Sequence, residues 1–233
     1  MNRRIKTALL ACAAVSVLGA CEQMGRMKDS MMKSETAGDR DMGFFIVSAN
    51  PGQGADLGGL TGADAYCQKL ATSVGAGGKT WHAYLSAMQT ADSAAVNARD
   101  RIGNGPWKNA NGQVIATSVA DLHSSHNNLN KRTALTEKGE VLAGRGDSVN
   151  MHDILTGSQP DGTAIGPGAD STCSNWTNGE NSGAAIVGHH DRMGLNESAP
   201  MKSWVSSHPT KGCSLEALKS TGGNGRFYCF AVN

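Results

Sequence analysis

The chain has 233 residues, 39% of them hydrophobic, with 21 basic and 20 acidic side chains that leave a formal net charge of +1. That length is ample for one core, and no basic block or stripe is present, which excludes the electrostatic footprint of a nucleic-acid binder. Thirty glycines, about twice the usual ~7%, against 5% aromatics imply a chain rich in loop and turn.

The first segment reads as an address. Asn2-Arg-Arg-Ile-Lys is basic, Thr7 to Ala20 is small and apolar, and the run ends in Leu18-Gly-Ala before Cys21. A positive end, a short apolar core and a small-residue cleavage site are the parts of an export signal. With cysteine directly after Leu-Gly-Ala, the pattern resembles the bacterial lipoprotein signal, in which that thiol is acylated and becomes the first mature residue. Residues 1–20 are therefore expected to be removed and Cys21 to hold the chain to a lipid bilayer. An ordinary secretory signal with an incidental cysteine is the competing reading. A membrane anchor is disfavoured because the apolar run falls short of the ~20 residues a span needs. Losing Arg3, Arg4 and Lys6 takes the formal charge from +1 to −2. Glu22 stands where lipoproteins retained at the inner membrane of enteric bacteria often carry aspartate, so the expected address is the outer membrane, with the domain facing periplasm or surface. Residues 21–42 mix charges with five methionines and carry no sustained apolar stripe. They read as a flexible tether of about 25 Å root-mean-square span; a thioether Cu(I) site is the competing reading, without cysteine or histidine to join it.

One domain is expected over residues 43–233, since no internal repeat and no second apolar centre is found. Phe44-Phe-Ile-Val is a first strand. Gly62 to Leu70 has Ala63, Tyr66, Cys67 and Leu70 at three- and four-residue intervals, the stripe of a half-buried helix, with Thr61 as its cap. Gly75, Gly77 and Gly78 stop it. Trp81, Ala83 and Leu85 then alternate with His82, Tyr84 and Ser86, the two-residue period of a strand with one face buried. Ala91 to Ile102 reads as a second helix, and Trp107 to Ala116 as a hairpin turning at Asn111-Gly112. From Ser118 to Gly168 the texture is polar and irregular, with short strands expected at Ala134-Leu-Thr and Glu140-Val-Leu. Arg226-Phe-Tyr-Cys-Phe-Ala-Val is a final strand. The four remaining cysteines, Cys67, Cys173, Cys213 and Cys229, favour disulfides in an exported protein, and their number allows three pairings. None of them has the CxxC spacing of structural zinc.

Gly62-Ala-Asp-Ala-Tyr-Cys followed by Trp81-His-Ala-Tyr-Leu-Ser resembles the opening of the endostatin module and of similar bacterial lectin-like domains. The likeness continues through Ala98-Arg-Asp-Arg, Thr156-Gly-Ser-Gln-Pro-Asp-Gly, Cys173-Ser-Asn-Trp and Phe227-Tyr-Cys-Phe. It implies an α+β domain of C-type-lectin-like, endostatin-like fold with long loops and two nested disulfides, Cys67–Cys229 outside and Cys173–Cys213 inside. Such a fold hosts many functions. Gln159-Pro160-Asp161 matches the tripeptide that contacts calcium and a galactose-type sugar in calcium-dependent C-type lectins. The second calcium cluster of those lectins would fall at Trp204-Val205-Ser206, where Val205 and Ser206 supply no carboxylate for an ion that wants six to eight oxygens. Pro160-Asp161-Gly162 is also a turn signal in its own right, and calcium is expected not to bind.

Two classes of function stay open. In the first, the chain is a membrane-held binding module that recognises a glycan, a cell-wall fragment or a protein through its loop face. Gln159, Asp161, Trp176 and Trp204 are its candidate ligand contacts, and Trp107 a further candidate, because aromatic rings give a sugar face at low entropy cost. In the second it is a metal-dependent enzyme built around His189, His190 and Asp191, with His123, His126, His152 and His208 in reserve. Adjacent histidines in a strand point to opposite faces, so both could serve one metal only in a loop. The zinc histidines of endostatin have no counterpart here. The module is the preferred reading, with no cofactor expected.

Overall fold

The computed structural model describes residues 41–232, so the signal, Cys21 and most of the tether lie outside the described residues. Among the described residues, eight strands, three right-handed α-helical segments and two 3-10 turns make a mixed α+β domain. In chain order these are β1 (Phe44–Ile46), α1 (Gly59–Ser73), β2 (Trp81–Ala83), β3 (Trp107–Lys108), β4 (Val114–Ala116), α2 (Val119–Leu122), β5 (Asp153–Leu155), β6 (Ile186–His189), β7 (His208–Pro209), α3 (Leu215–Thr221) and β8 (Gly223–Ala231), with the 3-10 turns at Ala98–Asp100 and Pro200–Lys202. Among the described residues no helix is long and apolar enough to cross a membrane.

β8 organises the sheet, whose order is β1-β8-β5-β6-β7 with β2 also paired to β8. Its second half is flanked twice: Cys229 is in register with Phe45 of β1 and with Ala83 of β2. Its first half runs parallel to β5, placing Arg226 and Phe227 beside Ile154 and Leu155. Alternate side chains go to opposite faces, and here both faces are covered. Phe45, Phe227 and Cys229 join α1, Trp81 and Trp176 in one buried cluster. Phe44, Ile46, Tyr228 and Phe230 join Tyr84, Trp107, Leu122 and Trp204 in the other. A strand buried on both sides must be apolar throughout, which explains the run Phe227-Tyr-Cys-Phe. The same double burial corrects the one-faced strand expected after Trp81: regular pairing stops at Ala83, and Tyr84 and Ser86 are as buried as Leu85.

The first helix is longer than its apolar stripe suggested. It begins after Gly58, which takes a left-handed φ of 73° and offers no side-chain cap, so Thr61 lies inside the helix and caps nothing. Ala63, Cys67 and Ala71 are its fully buried line, with Leu60, Tyr66 and Leu70 packed alongside. Gly75, at φ 78°, lets the chain leave. The carboxylate of Asp64 then fastens helix to strand, accepting the Ala83 amide at 2.8 Å and the Arg101 guanidinium at 2.6 Å.

The expected helix over Ala91–Ile102 is absent; only Ala98–Asp100 turns, as a 3-10 segment. The stretch had alanines but no apolar stripe to bury. Ser93 and Asn97 spend their side chains on local bonds to Thr90 and Asp100 that compete with a helix, and Asn97 Oδ1 also accepts the distant Ala164 amide. The hairpin at Asn111-Gly112 forms as β3 and β4, with Asn109 Oδ1 accepting the amides of Asn111 and Gln113 and Gly112 at φ 75°. Ala134-Leu-Thr and Glu140-Val-Leu do not become strands; they meet at one isolated bridge, Leu135 to Val141.

Both disulfides form. Cys67–Cys229 ties α1 to the second half of β8 across 162 residues, and Cys173–Cys213 closes 40 residues inside it. Cys173 opens a left-handed turn in which Cys173, Ser174, Asn175 and Trp176 all have φ between 49° and 69°. L-residues avoid this region at a cost of about 1–2 kcal/mol each. The turn is held by the bridge, by Thr172 Oγ1 accepting the Asn175 amide, by the Asn175 side chain pairing with both backbone groups of Met88, and by the Trp176 indole donating to Ser86 O.

Candidate functional site

β5, β6 and β7 are neighbours, and at one end they gather histidines and an aspartate from three distant parts of the chain. Asp153 opens β5 and is the cross-strand partner of His189, which ends β6; His208, in β7, is registered with Val187 of β6. His152 precedes β5, where the chain is not yet extended in the ladder, and its ring stacks on His189 with centroids 4.1 Å apart and planes 9° from parallel. His152, Asp153 and His189 are all at least 97% buried, while the His208 side chain keeps 27% exposure and forms the open edge.

All three imidazoles turn the same nitrogen inward. Around Asp153 Oδ1 stand His152 Nε2 at 3.2 Å, His189 Nε2 at 3.3 Å and His208 Nε2 at 3.6 Å. His189 Nε2 is also 3.1 Å from His208 Nε2. The outward nitrogens each face an oxygen: His189 Nδ1 meets Met201 O at 2.8 Å, His208 Nδ1 meets Pro209 O at 3.0 Å, and His152 Nδ1 meets Asp191 Oδ1 at 3.3 Å. Carbonyls and carboxylates only accept, so these contacts place a ring proton on each Nδ1. Both carboxylate oxygens of Asp153 are buried with no well-formed hydrogen bond among the described residues. Among the described residues, His152, Asp153 and His189 form a group of ligand atoms all within 4.8 Å of one another.

Electrostatics agree with the geometry. Burial alone would raise the Asp153 carboxyl, but the facing His189 and His208 imidazoles outweigh it and hold the group below the usual carboxylate range. His208 is correspondingly raised, chiefly by Asp153. Burial would likewise raise Asp191, yet His152 and the amides of Arg145 and Met193 bring it down to about 2.

The residues singled out in the sequence are distributed differently from what was expected. His189, His190 and Asp191 do not share one centre. His189 enters the cluster, Asp191 stands behind His152, and His190 turns away to Ala143 O at 3.3 Å, its burial lowering it to about 4. His189 is the last residue of β6, and His190 lies in the turn that follows it. Trp107, Trp176 and Trp204 are 1%, 0% and 3% exposed, so none of them offers a sugar face, and Trp176 and Trp204 are withdrawn as ligand contacts. Gln159 and Asp161 make a turn. The Gln159 amide donates to Thr163 Oγ1 and Ala164 O, Asp161 Oδ1 accepts from Thr163, and Gly162 sits at φ 82°. Val205, opposite them in the calcium reading, is buried. His123 packs on Trp204 and bonds Tyr84, and His126 is exposed.

Asp153 was missed from sequence because it lies in a short apolar run within a polar stretch. The available signal was that two such runs, Asp153-Ile-Leu and Ile186-Val-Gly-His, are each bordered by histidine. Comparison with protein-family models and with curated proteins finds no match for this chain.

Proposed function

We propose that the mature chain is a lipid-anchored, extracytoplasmic binding module of C-type-lectin-like, endostatin-like fold, held at the outer membrane through acylated Cys21. Its loop face would recognise a glycan, a cell-wall fragment or a protein partner. The observation that carries the reading is the pair of nested bridges, Cys67–Cys229 around Cys173–Cys213, which is the pairing the sequence resemblance implies. It is supported by β1 and β8 lying side by side, so that both ends of the domain meet in one sheet. Two buried disulfides also suit a chain that matures in an oxidising compartment.

The test is a binding screen. The mature chain carrying Cys21→Ser, exported behind an ordinary secretory signal, is applied to a glycan array and to purified cell-wall fragments, with and without calcium. Saturable retention of an unaltered ligand, independent of calcium, is the expected result. Recovery of a cleaved or modified ligand would replace the module by the second reading, a metal-dependent enzyme, which the histidine–aspartate cluster favours. Calcium-dependent galactose binding would restore a role for Gln159 and Asp161. Retention of nothing on either support would remove the glycan and cell-wall arms of the proposal.

A further inference from the structure

The cluster at the ends of β5, β6 and β7 gathers more ligand atoms than its own hydrogen bonds use. Three Nε2 atoms and a carboxylate oxygen face one another at 3.1–3.6 Å. His189 Nε2 and His208 Nε2, 3.1 Å apart, need something electron-poor between them, a proton or a metal ion. A buried carboxylate with neither oxygen hydrogen-bonded has the same need.

We propose that His152 Nε2, Asp153 Oδ1, His189 Nε2 and His208 Nε2 bind one divalent first-row transition ion, with Zn2+ the best match. Zinc takes histidine nitrogen and carboxylate oxygen at about 2.0–2.2 Å in a tetrahedron. The edge of such a tetrahedron, about 1.63 times the bond, is about 3.3–3.6 Å. The observed separations, 3.1–3.6 Å, lie at or just under that edge; His152, Asp153 and His189 already form one group within 4.8 Å, and His208, outside that group, would close on it as the ion seats. Nitrogen ligands with one carboxylate suit zinc better than calcium or magnesium, which want oxygen throughout.

The surroundings are those of a ligand set. A metal-bound histidine usually donates its other ring N–H to a carboxylate or carbonyl, which fixes the tautomer and the ring plane. All three do so here, to Asp191, Met201 and Pro209. Asp191 is itself pinned by the amides of Arg145 and Met193, so its geometry is set before any ion arrives. It acts as a positioning residue for His152. The partly exposed His208 gives the ion a way in from solvent. With four protein ligands the tetrahedron is closed, so the ion would clamp β5, β6 and β7 together rather than hold an activated water. This inference does not depend on the lectin-like reading.

The test uses the mature Cys21→Ser chain, stripped with a chelator, re-dialysed and titrated with ZnCl2 by calorimetry, with Co2+ as a spectroscopic substitute. One Zn2+ per chain and a tetrahedral Co2+ spectrum are expected. His208→Ala, at the exposed edge, and Asp153→Asn should each abolish stoichiometric binding in protein that circular dichroism shows to be folded. Asp191→Asn should bind 10- to 100-fold more weakly, the usual effect of losing an outer partner. His126→Ala, on the surface, should bind as the parent does. The proposal is overturned if the parent takes up no stoichiometric zinc, or if folded His208→Ala and Asp153→Asn bind it undiminished. It is also overturned if nitrogen-detected NMR of the metal-exposed parent finds a proton on His208 Nε2, since a shared proton would then do the work assigned to the ion.

Discussion

Replacing Cys67 and Cys229 together by alanine removes the bridge on which the sheet and first helix are closed. The loop it ties off spans 162 residues. On the chain-entropy account that closure withholds about 5 kcal/mol from the unfolded state, and the inner bridge, closing 40 residues, about 4 kcal/mol. Cys67 and Cys229 are fully buried between α1 and β8, so losing both sulfurs also leaves two voids. Each resembles the loss of one buried methylene, about 0.5–1.5 kcal/mol. The expected destabilisation is therefore about 6–8 kcal/mol for the outer pair, a large share of the 5–15 kcal/mol by which domains are stable. Equilibrium urea unfolding with linear extrapolation measures it, and Cys173→Ala with Cys213→Ala provides the internal comparison. A loss below about 2 kcal/mol for the outer pair would refute the reasoning, because a bridge closing so long a loop cannot be that weak on this account.

Other consequences follow from single positions. Gly188 lies so close to the chain above it that an added Cβ would fall 1.9 Å from Trp204 O, so Gly188→Ala should cost about 3 kcal/mol or more; unchanged thermal unfolding would contradict that approach. Trp176→Ala should cost about 3–5 kcal/mol as a core deletion, and a variant that lost a ligand while keeping full stability would return Trp176 to the binding face. His123 is lowered below 6.5, chiefly by burial, while Arg99 lowers it further and Val119 O and Asp161 oppose; its Nδ1 proton goes to Val119 O, and its Nε2 accepts from Tyr84. The unfolded chain then binds the proton more readily, so this group's contribution to stability is full above pH 6.5 and falls as pH drops from there toward the folded value. An NMR titration of His123 with a midpoint at or above 6.5 would contradict it.

What could be read from the chain was local. The stripe Ala63, Cys67 and Leu70 marks a helix because its spacing needs only one buried side, and Asn111-Gly112 marks a hairpin because the turn demands a left-handed residue. The alanine-rich stretch after Thr90 misled because propensity without an apolar stripe buries little; from Ala91 to Ile102 only Ala98 and Ile102 are fully buried. The three tryptophans looked like candidates for a ligand face. In a chain with 5% aromatics the core takes them all, and the indoles of Trp107 and Trp176 satisfy Ala231 O and Ser86 O from inside. The metal-ligand cluster was the least legible part. Asp153 meets His189 through strand pairing and His208 through a second pairing, and no spacing along the chain records that adjacency.

The most direct measurement is X-ray diffraction from crystals of the zinc-exposed mature chain at energies just above and just below the zinc absorption edge. The account predicts a single anomalous peak, present only above the edge, about 2.0–2.2 Å from His152 Nε2, Asp153 Oδ1, His189 Nε2 and His208 Nε2. A difference map with no peak there, or with zinc seated only on exposed histidines such as His126, would contradict it.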